Sequence, residues 1–289
     1  MPRIAYVNGR YVPHGEAAVH IEDRGYQFAD GVYEVTCVHR GEFVDGDGHM
    51  TRLTRSLKEL QIAWPISPRA LSIVMRELVR RNRVYEGIIY LQITRGVASR
   101  DHAFPARSES SLVLTTKHVA PFDIKSARKG IHVISIPDIR WKRCDIKSVS
   151  LLPNILGKQE AKAAGAYEAW MVDDAGRVTE GTSTNAWIVT AKNELVTHQV
   201  DRAILNGITR IAVLRLAAEE GVKFVERTFT VAEARRAREA FLTSTTSFVK
   251  PVVRLDGKPI ADGCAGPLTR KLMDYYADYI ERPADKGAA

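Results

Sequence analysis

Ile139-Arg140-Trp141-Lys142-Arg143-Cys144-Asp145-Ile146-Lys147-Ser148 crowds four cations among apolar residues in one short stretch. A plain surface run has no need of Ile139, Trp141 and Ile146, and a plain core strand does not carry Arg140, Lys142, Arg143 and Lys147. Two readings follow. In one, this is a half-buried strand edge that projects a lysine into a pocket; lost hydration lowers the lysine pKa and makes the amine a nucleophile toward a carbonyl. In the other, it is an amphipathic strand with a solvated basic face. The segments around it decide between them.

Downstream, residues 154–164 are rich in Ala, Lys and Glu and read as a helix ending at Gly165. Short strands are expected at 167–172, 177–178, 184–189, 194–197, 222–228 and 240–243. A hairpin about Asp256-Gly257 joins 252–255 to 258–260. Helices are expected at 209–220, 231–238 and 266–279. Upstream, Asn8-Gly9 turns a hairpin over residues 4–13, a short strand covers 18–21, and the polar, glycine-punctuated 22–31 reads as a loop. Residues 32–38 form a strand. Leu53, Leu57 and Leu60 give 49–60 helical spacing, and Ser67-Pro68 opens another helix. Strands at 88–94 and 111–116 follow. The pattern breaks near Pro121, so a smaller N-terminal α/β domain is expected over 1–120 and a larger C-terminal one over 121–289. The irregular alternation with hairpins indicates a mixed α+β architecture, not a doubly wound parallel sheet.

The chain has 289 residues, 45% hydrophobic and 26% charged, an ordinary globular composition. Cys37, Cys144 and Cys264 show no CxxC spacing, and the N-terminus has no apolar leader, so a reducing, cytoplasmic setting is expected. No apolar run is long enough to span a bilayer. The net charge of +8 is spread along the chain without a basic tail or a nucleic-acid motif; it suits small anionic substrates equally well. Scattered histidines predict no metal site.

Several clusters could carry chemistry. Leu205-Asn206-Gly207-Ile208-Thr209-Arg210 places a glycine turn before a helix, where free N–H groups and the helix dipole favour phosphate, or where Asn and Thr simply cap. Thr243-Ser244-Thr245-Thr246-Ser247 closes a strand with hydroxyls, either as anion donors or as an ordinary turn. Glu180, in Thr179-Glu180-Gly181-Thr182-Ser183-Thr184-Asn185, could pair with a protonated heterocyclic nitrogen or sit solvated at a hairpin end. Arg100 and His102 stand two apart on a loop and could grip one carboxylate, or form an exposed basic loop. Arg52 near a helix start and Tyr33 in a strand are unremarkable alone. No GxGxxG, Walker loop, HExxH or GxSxG occurs.

Taken together the segments resemble a family. Residues 23–35, Asp-Arg-Gly-Tyr-Gln-Phe-Ala-Asp-Gly-Val-Tyr-Glu-Val, resemble the N-terminal signature of the D-amino acid aminotransferases, which are fold-type IV pyridoxal-phosphate enzymes. The resemblance continues through residues 139–148, 179–185, 207–210 and 243–247. It implies two α/β domains with mostly antiparallel sheets, the C-terminal one barrel-like. It implies pyridoxal 5'-phosphate as cofactor, with Lys147 as the covalent attachment point and proton shuttle, and Glu180 on the pyridine nitrogen. Arg52, Ile208, Thr209 and Thr245, with Ser244 beside it, would hold the phosphate, and Leu205 would pack on the ring. Tyr33, Arg100 and His102 would trap the substrate carboxylate. The implied reaction is ping-pong transamination between a D-amino acid (D-alanine, D-glutamate) and a 2-oxo acid (2-oxoglutarate, pyruvate). A homodimer with a shared active site is implied as well. The alternatives are an R-selective amine transaminase, a branched-chain aminotransferase or an aminodeoxychorismate lyase on the same fold, or a basic binding protein without catalysis. Ala29, residues 167–171 and Ala186-Trp187 need not match the best-known members.

Overall fold

The computed structural model describes residues 3–282. The chain divides into two compact units. One runs through Pro121 and also takes in Ile146–Ser150; the other comprises Phe122–Asp145 and the chain from Leu151. The segment carrying Lys147, expected with the C-terminal half, therefore packs within the first unit.

The first unit contains β1 (Ile4–Val7), β2 (Arg10–Pro13), α1 (Arg24–Phe28), β3 (Gly31–His39), β4 (Glu42–Phe43), α2 (Gly46–Glu59), α3 (Pro68–Arg81), β5 (Gly87–Thr94) and β6 (Ser111–His118). Its six strands form an antiparallel sheet in the order β2-β1-β6-β5-β3-β4. Ser67 caps α3 by accepting from the Ala70 N–H at 3.2 Å, and Pro68 fills the first turn, where its missing donor costs nothing. Leu71, Met75, Leu78 and Val79 then face the core. The buried stripe of α2 is unusual. His49, Arg52, Leu53, Ser56 and Leu57 recur at helical spacing, and three of the five are polar. A buried polar stripe requires partners, and β3, against which α2 packs, supplies them.

The second unit contains α4 (Ile124–Ala127), β7 (Ile131–Pro137), α5 (Leu152–Ala163), β8 (Glu168–Val172), β9 (Arg177–Gly181), β10 (Asn185–Val189), β11 (Leu195–Thr197), α6 (Ile208–Glu219), β12 (Phe224–Glu226), β13 (Phe229–Thr230), α7 (Val231–Arg235), β14 (Glu239–Ser244), β15 (Phe248–Leu255), β16 (Lys258–Pro259) and α8 (Pro267–Glu281). The sheet order is β12-β11-β10-β14-β15-β7-β8-β9-β13, with β16 on β15, and most pairs are antiparallel. Strands β9 and β10 lie five places apart in that order, a separation of about 24 Å in a flat sheet. Gly181 and Asn185 are joined by a link that reaches at most about 14 Å. The sheet must therefore curl, which gives the half-barrel. Trp170, Ile188, Leu242, Val252 and Leu255 fill its core.

Three local expectations are corrected. Residues 22–31 are not all loop: Asp23 caps α1 by accepting from the Gly25 N–H at 2.8 Å, and Ala29 ends it in the left-handed region at φ 56°. Residues 18–21 form no strand. Nor do residues 139–148, where a chain of turns leaves Ile139 and Trp141 exposed and the Lys147 backbone is held through an isolated bridge between Ser148 and Val32.

Candidate active site

The two units each gather a set of the expected residues. In the first, the Lys147 segment lies along the start of β3. The Lys147 carbonyl accepts from the Tyr33 N–H at 3.0 Å, and its N–H donates to Ser56 Oγ at 3.3 Å. Lys147 Nζ lies 4.1 Å from the centre of the Tyr33 ring, a cation–π distance. Tyr33 stacks in turn on Tyr90 at 5.8 Å.

Glu34, the following residue of β3, points to the opposite, buried face of the strand, and sequence reasoning assigned it no role. It is the partner that the polar stripe of α2 requires. Arg52 Nε donates to Glu34 Oε1 and Nη2 to Oε2, both at 2.8 Å. His49 Nδ1 shares Oε2 at 2.8 Å. Burial pushes the Glu34 carboxyl upward, but the paired Arg52 guanidinium outweighs it and brings the pKa down to about 2. Burial lowers the His49 pKa, so its imidazole is neutral at pH 7 and donates Nδ1–H. Arg52, expected to meet a phosphate, is thus oriented by a carboxylate through two parallel bonds.

Arg100 and His102 form their own group. The Arg100 guanidinium lies 4.9 Å from the centre of the Phe28 ring, and the His102 ring 5.4 Å from it. Both side chains are exposed, and their convergence on one ring is a feature that spacing alone could only suggest.

In the second unit, Glu180 at the end of β9 is buried among donors. Oε1 accepts from Arg140 Nη1, and the Leu205 N–H reaches both oxygens at 3.2 and 3.1 Å. Asn185 Nδ2 donates to Oε2 at 3.1 Å. Burial raises the Glu180 pKa above the ordinary carboxylate range, against the pull of Arg140 and the Leu205 N–H. Arg140 also binds Asp138 through Nε and Nη2 at 2.9 and 2.7 Å, which places a buried cation between two carboxylates.

Asn185 joins two motifs that the sequence left separate. It donates to the Leu205 carbonyl at 2.9 Å as well as to Glu180. Its Oδ1 lies so close to Gly207 that a Cβ there would meet it at 2.1 Å. Gly207 is the N-cap of α6 and carries no side-chain cap, which leaves the first-turn N–H groups of Ile208 and Thr209 facing outward from the helix end. Buried Arg210 anchors that end through the His198 carbonyl at 2.8 Å and Asn206 Oδ1 at 3.2 Å. Because Asn185 pairs with Thr243 across β10 and β14, Ser244 ends β14 and Thr245 leaves the sheet at this same end. Ser244 Oγ accepts from the Ser247 N–H at 3.0 Å, closing the turn. Sequence reasoning missed Glu34, Asn185 and Arg140 as organisers. Each was visible only as a polar residue inside a motif.

Residues 31–255 match the family model of the class IV aminotransferases, and the chain belongs to that family. It is 41% identical over 279 residues to the D-alanine aminotransferase of Staphylococcus aureus (strain MSSA476), covering 96% of this chain and 97% of that one. It is 43% identical over 266 residues to the D-alanine aminotransferase of Bacillus licheniformis, covering 92% and 93%. Among solved structures, the branched-chain amino acid aminotransferase of Escherichia coli superposes with a TM-score of 0.90 at 22% identity, covering 99% of this chain and 98% of that one. The PLP form of the Thermobaculum terrenum branched-chain amino acid aminotransferase gives 0.83 at 24%, covering 96% and 94%. The fold is that of fold-type IV aminotransferases.

Proposed function

We propose that this chain is a pyridoxal-phosphate-dependent transaminase that moves an amino group between a D-amino acid and a 2-oxo acid, with D-alanine and 2-oxoglutarate as the leading pair. The observation that carries it is the similarity to D-alanine aminotransferases along nearly the whole chain. The branched-chain alternative shares the fold at 22–24% identity, well below the 41–43% to the D-alanine aminotransferases.

The residues fit the cofactor. A phosphate is suited by the uncapped N-terminus of α6 and by Ser244 and Thr245 at the same end of the sheet. A protonated ring nitrogen is suited by Glu180, a buried carboxyl held in place by Arg140, Asn185 and the Leu205 N–H, because a cation brought to it offsets the cost of burying its charge. When bound, the cofactor supplies an electron sink for the carbanion formed at the substrate Cα. Lys147 would be the covalent attachment point, and its Nζ would be the base that holds or moves the proton. The Tyr33 ring, 4.1 Å from Nζ, helps to orient it. Arg52 meets the phosphate in the orientation Glu34 imposes. Leu205 would pack against the ring, and its N–H steadies Glu180. Arg100, His102 and the Tyr33 hydroxyl bind the substrate carboxylate, and the side from which they do so selects the D-enantiomer. The working unit is a cytoplasmic homodimer, with the functional domains divided at about residues 120 and 121.

Purified protein given D- or L-alanine with 2-oxoglutarate tests the reading. Pyruvate and D-glutamate form from D-alanine alone if it is right. Consumption of L-alanine only overturns it.

A further inference from the structure

The loop that carries Arg100 and His102 is exposed, yet two buried arginines hold it. Arg24, 3% exposed, donates from Nη1 to the Asp101 carbonyl at 2.6 Å and from Nη2 to the His102 carbonyl at 3.4 Å. Its Nε donates to Asp30 Oδ2 at 2.8 Å. Asp30 is shared with Arg95, whose Nε and Nη2 reach it at 2.7 and 3.0 Å. Arg95, 6% exposed, also binds the carbonyls of Leu60 and Gln61 and lies 3.6 Å from the centre of the Phe104 ring. The loop is thus gripped on both sides of Arg100 and His102 by one acid and two guanidiniums.

Helix α1 makes the same residue serve twice. Arg24 begins it and Phe28 ends it, and the Arg24 guanidinium lies 4.8 Å from the ring on which Arg100 and His102 rest. Gly25 allows the close approach, since a Cβ there would meet Thr94 Cγ2 at 2.2 Å. Asp101 turns its Oδ1 back to the Ala103 N–H at 3.1 Å, which leaves its carbonyl to Arg24.

We infer that Arg24, fixed by Asp30, is the positioning residue of the substrate-carboxylate site: it sets the backbone from which Arg100 and His102 reach the ligand. The inference rests on the proposed carboxylate role of Arg100 and His102. Charge-assisted bonds to two consecutive carbonyls fix the loop where neutral side chains would leave it mobile.

The test uses holoenzyme. Propionate, a carboxylate without an amine, is titrated against the cofactor absorbance, and steady-state constants for D-alanine are measured in parallel. For Arg24→Gln the propionate Kd and the D-alanine KM rise about 10- to 100-fold, kcat stays within about threefold, and the cofactor band persists. Arg24→Lys, which keeps the charge but cannot span three acceptors, lies between. If Arg100→Ala weakens both ligands and Arg24→Gln does not, the inference fails while the carboxylate reading stands. If neither does, the carboxylate reading itself falls, and the inference with it. Loss of the cofactor band with kcat and KM changing together marks a merely structural Arg24 and overturns the proposal. Should Arg24→Gln not fold, Asp30→Asn removes the charge that fixes Arg24; a three- to tenfold rise in both constants supports the proposal, and unchanged constants refute it.

Discussion

Glu34→Gln is the sharpest test of how the first unit is built. The substitution conserves shape and removes the charge. The Gln oxygen can still accept from Arg52, but the amide NH2 must then face donors: Arg52 Nη2 together with the neutral His49 Nδ1–H in one orientation, Arg52 Nε in the other. In the wild type, Glu34 shifts from an ordinary 4.5 to about 2. A lowered carboxyl pKa stabilises the fold at pH above the unfolded value and ceases to do so as pH falls through the folded one. The shift corresponds to about 3 kcal/mol at pH 7. For a chain of this length that is about 5 °C in the melting temperature. Of this, about 1.4 kcal/mol has already gone by pH 3.5. Thermal unfolding of the apo protein, followed by circular dichroism at pH 7 and pH 3.5, reads both quantities. The gap between wild type and variant is about 5 °C at pH 7 and close to half that at pH 3.5. A gap under 1 °C at pH 7, or one that widens in acid, refutes the assignment of Glu34 as the charged partner of Arg52.

Two further outcomes follow from the second unit. Gly207→Ala drives a Cβ into Asn185 Oδ1 and forces that side chain off Glu180 and the Leu205 carbonyl; absorbance titration of apo protein with pyridoxal phosphate should show a 10- to 100-fold rise in Kd, corresponding to about 1.5–3 kcal/mol, and an unchanged Kd counts against Asn185 as organiser. Arg140→Leu strands Asp138 and Glu180 without their shared cation and costs about 3–5 kcal/mol in urea unfolding at pH 7. That penalty should shrink at pH 4, because without Arg140 burial acts unopposed on both carboxyls, which then take up protons more readily in the variant and shed the stranded charge; equal penalties at the two pH values would contradict the network.

What could be read from the linear chain was whatever local physics decides. The helix beginning at Ser67-Pro68, the Asn8-Gly9 hairpin and the glycine before α6 each need only a cap, a turn residue or a period, and each formed. The motif order carried the fold and the cofactor, because widely separated segments matched one family at once. Tertiary structure decided the rest. α1 was hidden because a five-residue helix has no period to show. Residues 139–148 alternate like a strand but pair with nothing along most of their length, so the lysine is held by β3 and not by a ladder of its own. Glu34 meets His49 and Arg52 from 15 and 18 residues away, Arg24 meets Asp101 and His102 from 77 and 78, and Arg140 meets Glu180 from 40. Charges on distant segments cannot be matched to one another by spacing. Only packing brings them out of water, and only there does a lone carboxylate need a particular cation.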